Sequence, residues 1–205
     1  MAVQSDYRYS LTVNGSSQFE VVRFVLKEHL STLFRLELDL ASFGAEPNFH
    51  YLIDQPATLT FWQGDEAVRS VNGIVTALNQ GETGFTRTRY HMVIEPSLCR
   101  AGLQTDLRIF QQQDPQKIIE TLLSKNQVSQ SQFHLQTPYW TREYCVQYRE
   151  TDLNFIQRLA AEEGSYYYFE HTNNSHILHF SNSTTLSEKK GNLVYNAMPA
   201  GQRPE

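Results

Sequence analysis

Residues 144–180 read YCVQYRETDLNFIQRLAAEEGSYYYFEHTNNSHILHF. This stretch decides the fold, because its local signals agree with one another. Tyr144, Val146 and Tyr148 share one side of a strand, and Glu143, Gln147 and Arg149 share the other. Thr151 or Asp152 then caps a helix. Leu153, Ile156 and Ala160 lie on one helical face, with Phe155 and Leu159 beside them. Gly164 stands at the C-terminal cap, where φ > 0 carries little penalty. Tyr166, Tyr167, Tyr168 and Phe169 follow as a strand with aromatic side chains on both faces. Asn173 and Asn174 turn it back into Ile177–Phe180. Such a strand needs cover twice, once from its own helix and once from another layer.

Working upstream, Asp114 and Pro115 open a second helix: Asp114 caps free amides, and proline suits the first turn because its missing N–H is not needed there. Ile118, Ile119, Leu122 and Leu123 make its apolar stripe, and Lys125 suits the negative end of its dipole. Residues 98–110 show no clean period, and residues 126–137 read as polar loop.

The first hundred residues are β-rich. Tyr7, Tyr9, Leu11 and Val13 alternate with polar residues, and Asn14-Gly15 marks a turn. Runs at 19–26, 34–40, 57–62, 68–78 and 85–95 read as further strands. Residues 41–56 form a loop that holds one short helical turn at 48–53. Gly73 predicts a bulge or bend, residues 80–84 predict a loop, and Pro96 ends the last strand. Short turns at this spacing suggest a barrel or sandwich, and a barrel removes exposed edges.

The expected fold class is therefore α+β and β-rich: an antiparallel β-barrel over residues 1–97, then a smaller α+β unit over 98–182 with two helices and an aromatic hairpin. Residues 183–205 read as a linker or the start of a truncated second barrel, with one apolar group at Leu193, Val194 and Tyr195. The last five residues read as a chain cut inside a larger protein.

Seventeen Lys and Arg against 22 Asp and Glu give a net charge of −5. No cationic excess exists to release counterions, which disfavours nucleic acid as the main partner. No basic segment followed by an apolar run opens the chain, so a Sec signal is not expected. No apolar run approaches the ~18 residues of a membrane-spanning helix. The chain is expected to be made, and first to fold, in the cytoplasm. Cys99 and Cys145 fit neither a zinc pattern nor a disulfide framework and read as small buried hydrophobes.

Two groups invite a chemical reading. His171, His176 and His179 lie near Glu170, but His176 and His179 have opposite strand parity, so a converging metal site is disfavoured. Glu162 and Glu163 end a helix, where Arg158, one turn earlier, offers a partner. No nucleophile, phosphate-binding loop or zinc-protease motif accompanies them. No catalytic, cofactor-binding or metal-ligating residue is assigned, and no cofactor is expected. Tyr166–Phe169 could stack bases or sugars, but interleaved Lys or Arg is missing, so core or subunit interface is the better reading.

Three stretches resemble the VgrG spike proteins of type VI secretion systems, which are related to the central baseplate hub proteins of contractile-tailed phages. The first is Arg69–Thr76 with Tyr90–Pro96. The second is Leu107–Gln111 leading into Pro115–Leu123. The third and most specific is Tyr144–His171. Gly73, Ile109, Phe110, Tyr148, Phe155, Leu159, Gly164, Tyr167 and Phe169 are the structural signature residues. Ser97 departs from the pattern, which has a bulky aromatic after the proline, so packing at that junction is expected to differ.

The resemblance implies the front of a spike hub. The full-length protein would be a homotrimer whose barrels form a pseudo-sixfold ring on an inner tube of Hcp-type subunits. Effector or tip proteins would be further partners, and the target membrane would be met only through the assembled spike. Assembly would occur in the cytoplasm, with export by the machine itself. No enzymatic residue is implied. A phage or prophage tail hub is the nearest alternative, and a stand-alone β-barrel module for a small ligand or glycan is the alternative of another class. If the helix stripe is buried, Phe155→Ala or Leu159→Ala will cost about 2–5 kcal/mol in chemical denaturation; near-neutral effects at both would refute the face assignment.

Overall fold

In-phase alternation along the front of the chain builds one curled antiparallel sheet. The computed structural model describes residues 7–43 and 48–183. The strands are β1 (Tyr7–Val13), β2 (Glu20–Lys27), β3 (Arg35–Ser42), β4 (Pro56–Gln63), β5 (Glu66–Thr83) and β6 (Thr88–Glu95). Their order is β1-β4-β5-β6-β3-β2. The sheet curls as a half-barrel. Tyr9 of β1 meets Phe24 of β2 at 5.0 Å between ring centroids, and both meet Phe61 of β4 edge-on. Side chains rather than a ladder thus bring the first and last strands together.

The concave face holds Leu11, Leu36, Leu38, Leu40, Leu59, Val71, Val75, Met92 and Ile94, all essentially inaccessible to solvent. Each such side chain contributes about 1.5–3 kcal/mol of burial. Asn14 and Gly15 both adopt positive φ in the turn after β1. Residues Phe49–Tyr51 supply the helical turn in the 41–56 loop.

Behind the sheet, a 3-10 turn at Ser97–Gly102 leads into β7 (Thr105–Gln113), α1 (Pro115–Lys125), β8 (Ser131–His134), β9 (Arg142–Thr151), α2 (Asp152–Glu162), β10 (Tyr166–His171) and β11 (His176–Ser181). β7 and β9 form an antiparallel ribbon, and β10-β11-β8 form a second sheet in which β8 runs parallel to β11. The two helices pack between them. Phe110, Ile118, Ile119, Leu122, Phe155, Ile156, Leu159, Tyr167 and Phe180 make a second core, and Phe169 packs against both cores.

The helix punctuation follows the chemistry of the caps. Asp114 accepts from the Lys117 amide at 3.0 Å and Thr151 Oγ1 from the Asn154 amide at 3.1 Å. Gly164 takes φ +67°, and the amides of Gly164 and Ser165 return to Ala161 and Ala160. Asp152 is the first helical residue rather than the cap.

Several expectations are corrected. No bulge falls at Gly73, which pairs in register with Ala57; irregularities lie between Val75 and Ala77 and between Gln80 and Thr83. Residues 80–83 continue β5, so only the segment around Phe85 turns. Residues 105–113 and 131–134 are strands, which their polar composition concealed. The readings on residues 184–205, including Leu193–Tyr195, lie outside the described residues.

Gly73 serves close approach instead. A Cβ there would lie 2.5 Å from the Glu95 carbonyl oxygen and 2.6 Å from Ile94 Cγ2. A backbone atom cannot swing aside as a flexible side chain can. Gly73→Ala is therefore expected to cost about 1–3 kcal/mol, the usual range for overpacking, read as a lower urea midpoint. A midpoint unchanged within error would refute this role.

Candidate functional site

Besides its two end strands, the front sheet has an interior strand whose edge is only partly paired. β5 pairs with β4 from Glu66 onward, but its pairing with β6 begins only at Ile74. The first half of β5 therefore has an open side. The amide of Asn72 donates to His171 Nδ1 at 3.1 Å. Asn72 Oδ1 accepts from Thr58 Oγ1 at 2.7 Å, and its Nδ2 donates to the carbonyls of Thr172 and Ser175 at 2.6 and 2.9 Å. One buried asparagine thus grips the turn of the β10–β11 hairpin, and an imidazole closes the strand edge.

Other contacts extend this seam. The Ser31 amide donates to the Tyr167 carbonyl at 2.8 Å. The Phe34 ring meets Phe169, His171 and His176 edge-on at 5.3, 4.9 and 5.9 Å. His176 Nε2 lies 3.3 Å from the Ser97 amide and accepts from it. The Ser97 hydroxyl lies at the same distance from this ring nitrogen, 3.3 Å. Because His171 Nδ1 accepts, its proton sits on Nε2, which faces Glu28 at 3.6 Å; Glu28 also pairs with Arg69 at 2.6 Å.

The remaining candidate chemistry is paired internally. Arg142 reaches Glu162 at 2.7 Å and Glu163 at 2.5 Å, while Arg158 reaches Glu162 at 2.8 Å and Glu150 at 2.6 Å. Burial opposes the charge of Glu162, but Arg142 and Arg158 hold its carboxyl below the ordinary range. The Arg158 partnership was legible from helix spacing; Arg142, twenty positions away, was not. His179 lies apart from the seam, stacked between Tyr168 and His134, with its Nδ1 at 2.9 Å from His134 Nε2 and its Nε2 at 3.1 Å from Glu170. Among the described residues no three His, Cys, Asp or Glu side chains are grouped to hold a metal.

A cavity of about 550 Å³ opens between the two halves, lined by residues that include Ile53, Ile74, Arg100, Leu103, Lys125 and Asp152. Its charges are already engaged: Arg100 with Asp54 at 2.8 Å, and Lys125 with Asp152 at 3.2 Å. Asp152, itself buried, also accepts from Gln147 and Asn126 at 2.8 and 2.9 Å. Burial pushes the Cys99 thiol in this wall up to about 11, which leaves it protonated and unreactive at neutral pH.

The signature residues divide into two groups. Phe110, Phe155, Leu159 and Tyr167 are buried, Phe169 joins the cores, Gly164 caps α2, and Gly73 permits close strand approach. Ile109 and Tyr148 do the opposite. Leu107, Ile109, Tyr144 and Tyr148 are 58%, 59%, 55% and 63% exposed. They share the outer face of the β7–β9 ribbon, with Leu107 opposite Tyr148 and Ile109 opposite Val146. The inner face of β9 carries Cys145 and Gln147 instead.

Comparison with known proteins gives a consistent picture. Residues 27–205 match the family model described as phage tail baseplate hub (GPD). The type VI secretion system spike protein VgrG2a of Pseudomonas aeruginosa is 38% identical over 205 residues, covering 98% of this chain and 24% of that protein. A Vibrio cholerae protein named actin cross-linking toxin VgrG1 is 38% identical over 169 residues, 82% of this chain and 15% of that one. The solved structure of the E. coli c3393 protein, described as a type VI secretion component similar to T4 tail proteins gp27 and gp5, superposes with a TM-score of 0.80. It is 24% identical and covers 87% of this chain and 50% of that one, which shows a shared fold. The chain thus spans about a quarter, 24%, of the length of VgrG2a.

The seam predicts a pH dependence. Burial, opposed by Glu28, lowers the pKa of His171; burial, with His171 nearby, pushes His176 from 6.5 to about 4. Both rings accept backbone protons, which an imidazolium cannot do. With folded pKa below unfolded pKa, the unfolded chain binds more protons in this window. Stability is therefore full above about pH 6.5 and falls as pH drops toward 4, with a loss of roughly 2–3 kcal/mol attributable to His176. Urea titrations of parent and His176→Gln should converge at low pH; parallel curves would refute the assignment.

Proposed function

The chain belongs to the phage tail baseplate hub family, and from that premise we propose that it is the front part of a type VI secretion spike hub. The observation that carries this reading is its 38% identity to VgrG2a across 98% of the chain. In this reading the curled sheet forms one tube-like element of a homotrimeric ring that docks on a hexameric inner tube. The assembled spike is driven into a target cell, and effector or tip proteins ride on it. Assembly takes place in the cytoplasm and export uses the machine itself. None of the described helices is long and apolar enough to cross a membrane.

The role is structural rather than enzymatic. The paired state of Glu162, Glu163 and Asp152 supports this, since their charges serve packing. The toxin named VgrG1 does not argue otherwise, because this chain corresponds to 15% of it. The two cores support a division into a front β unit over residues 1–97 and an α+β unit over 98–182, and in this reading residues 183–205 are a linker or the start of a truncated second barrel. A phage or prophage tail hub shares the fold and is the second reading.

Light scattering on the longest natural polypeptide containing this chain should give a trimer that binds the inner-tube protein of the same organism. A strictly monomeric product with no affinity for that tube would sink the proposal.

A further inference from the structure

The same dipeptide occurs at Asn14-Gly15 and at Asn72-Gly73. Asparagine is among the thermolabile residues, and a glycine after it leaves the next amide nitrogen unshielded by any side chain. The reaction is a cyclisation. The glycine amide gives up its proton to base, and its nitrogen attacks the asparagine Cγ. A C–N bond forms, the Cγ–Nδ2 bond breaks, and Nδ2 takes up a proton and leaves as ammonia. Water then opens the cyclic imide at one C–N bond or the other, giving aspartate or isoaspartate.

The fold treats the two pairs in opposite ways. Asn14 and Gly15 are exposed in the turn after β1. Among the described residues, neither the Asn14 side chain nor the Gly15 amide makes a hydrogen bond. Asn72 is buried within β5, and its leaving group is held, because Nδ2 donates to the Thr172 and Ser175 carbonyls. Its attacking group is held as well. Successive amides of a strand point to opposite edges. That of Asn72 points to His171, so that of Gly73 points to β4, where Gly73 pairs with Ala57. The extended backbone keeps this nitrogen away from Cγ. The main chain has no room to turn, since the Glu95 carbonyl oxygen lies 2.5 Å from where a Gly73 Cβ would stand.

We propose that Asn72-Gly73 is a gated deamidation site, silent while the β10–β11 hairpin grips Asn72 and reactive once the hairpin lets go. The product cannot be gripped again. Aspartate sets a carboxylate, which has no proton to donate, against the Thr172 and Ser175 carbonyls, at a place too buried to hydrate the charge. Isoaspartate adds a main-chain atom to β5 and puts the residues on either side of it out of register with β4. A passing separation of the two halves thereby becomes permanent, and chains that have opened are marked apart from chains that have not. The inference stands on the seam alone and is independent of the hub reading.

Peptide mapping by mass spectrometry, with chromatographic separation of aspartate from isoaspartate, follows both pairs in mildly alkaline buffer. The samples are the folded parent, the parent unfolded in guanidinium chloride, and folded His171→Ala, which lacks the ring that accepts from the Asn72 amide. His176→Gln is the milder companion should His171→Ala fail to fold, with circular dichroism as the fold control. In denaturant, both asparagines should convert at comparable rates. In the folded parent, Asn72 should slow by at least about tenfold, because its reaction waits on local opening, while Asn14 slows far less. The histidine variants should speed conversion at Asn72 and leave Asn14 unchanged. After dilution from denaturant, chains converted at Asn72 should collect in the protease-sensitive fraction, whereas chains converted only at Asn14 divide as unmodified chains do. Four results would overturn the proposal: Asn72 converting as fast in the folded parent as in denaturant, Asn72 intact in denaturant, folded histidine variants that match the parent, or Asn72-converted chains that regain full protease resistance.

Discussion

The open side of β5 is the constraint on which the arrangement of the two halves depends. A buried strand edge with unpaired amides is costly. Here it is resolved by a hairpin brought from a hundred residues away, through the Asn72 side chain and the His171 ring. Phe34 and Phe169 then join the two cores by an edge-to-face contact. Gly73 belongs to the same solution, because the strand can pass the end of β6 only without a side chain at that point. Polar satisfaction and close packing at Asn72-Gly73 thus fix one half against the other.

The charged groups that drew attention as possible chemistry turn out to hold elements in place. Arg142 ties the start of β9 to the end of α2, where two glutamates would otherwise sit against the negative end of the helix dipole. Asp152 is buried at the opposite end of that helix, where the dipole favours its charge, and Gln147 and Asn126 complete its hydrogen bonds. These pairings stabilise a fixed geometry.

Where local rules govern, the sequence was readable. Both helices, their caps at Asp114, Thr151 and Gly164, the aromatic hairpin and most front strands follow from period and punctuation. The misses share one cause, the dominance of distant partners. β7 and β8 are strands because β9 and β11 pair with them, not because 105–113 or 131–134 alternate cleanly. The Asn72 clasp left no trace either, since nothing in a strand's period announces which asparagine will meet a turn a hundred residues on. The ribbon face was half visible: Tyr144, Val146 and Tyr148 stood together, but only the buried Cys145 and Gln147 show which side is outward.

The parallel pairing of β8 with β11 has a consequence for the order in which the molecule is made. Ser131–His134 is held by Leu178–Ser181, so its partner leaves the ribosome last among the described strands. β1 likewise waits for β4, more than forty positions later. Such non-local pairings slow folding and keep apolar strands waiting during synthesis. The back half can close only after nearly all of this segment has been translated, so ribosomal pausing or truncation before Ser181 should leave a sticky intermediate rather than a smaller stable unit.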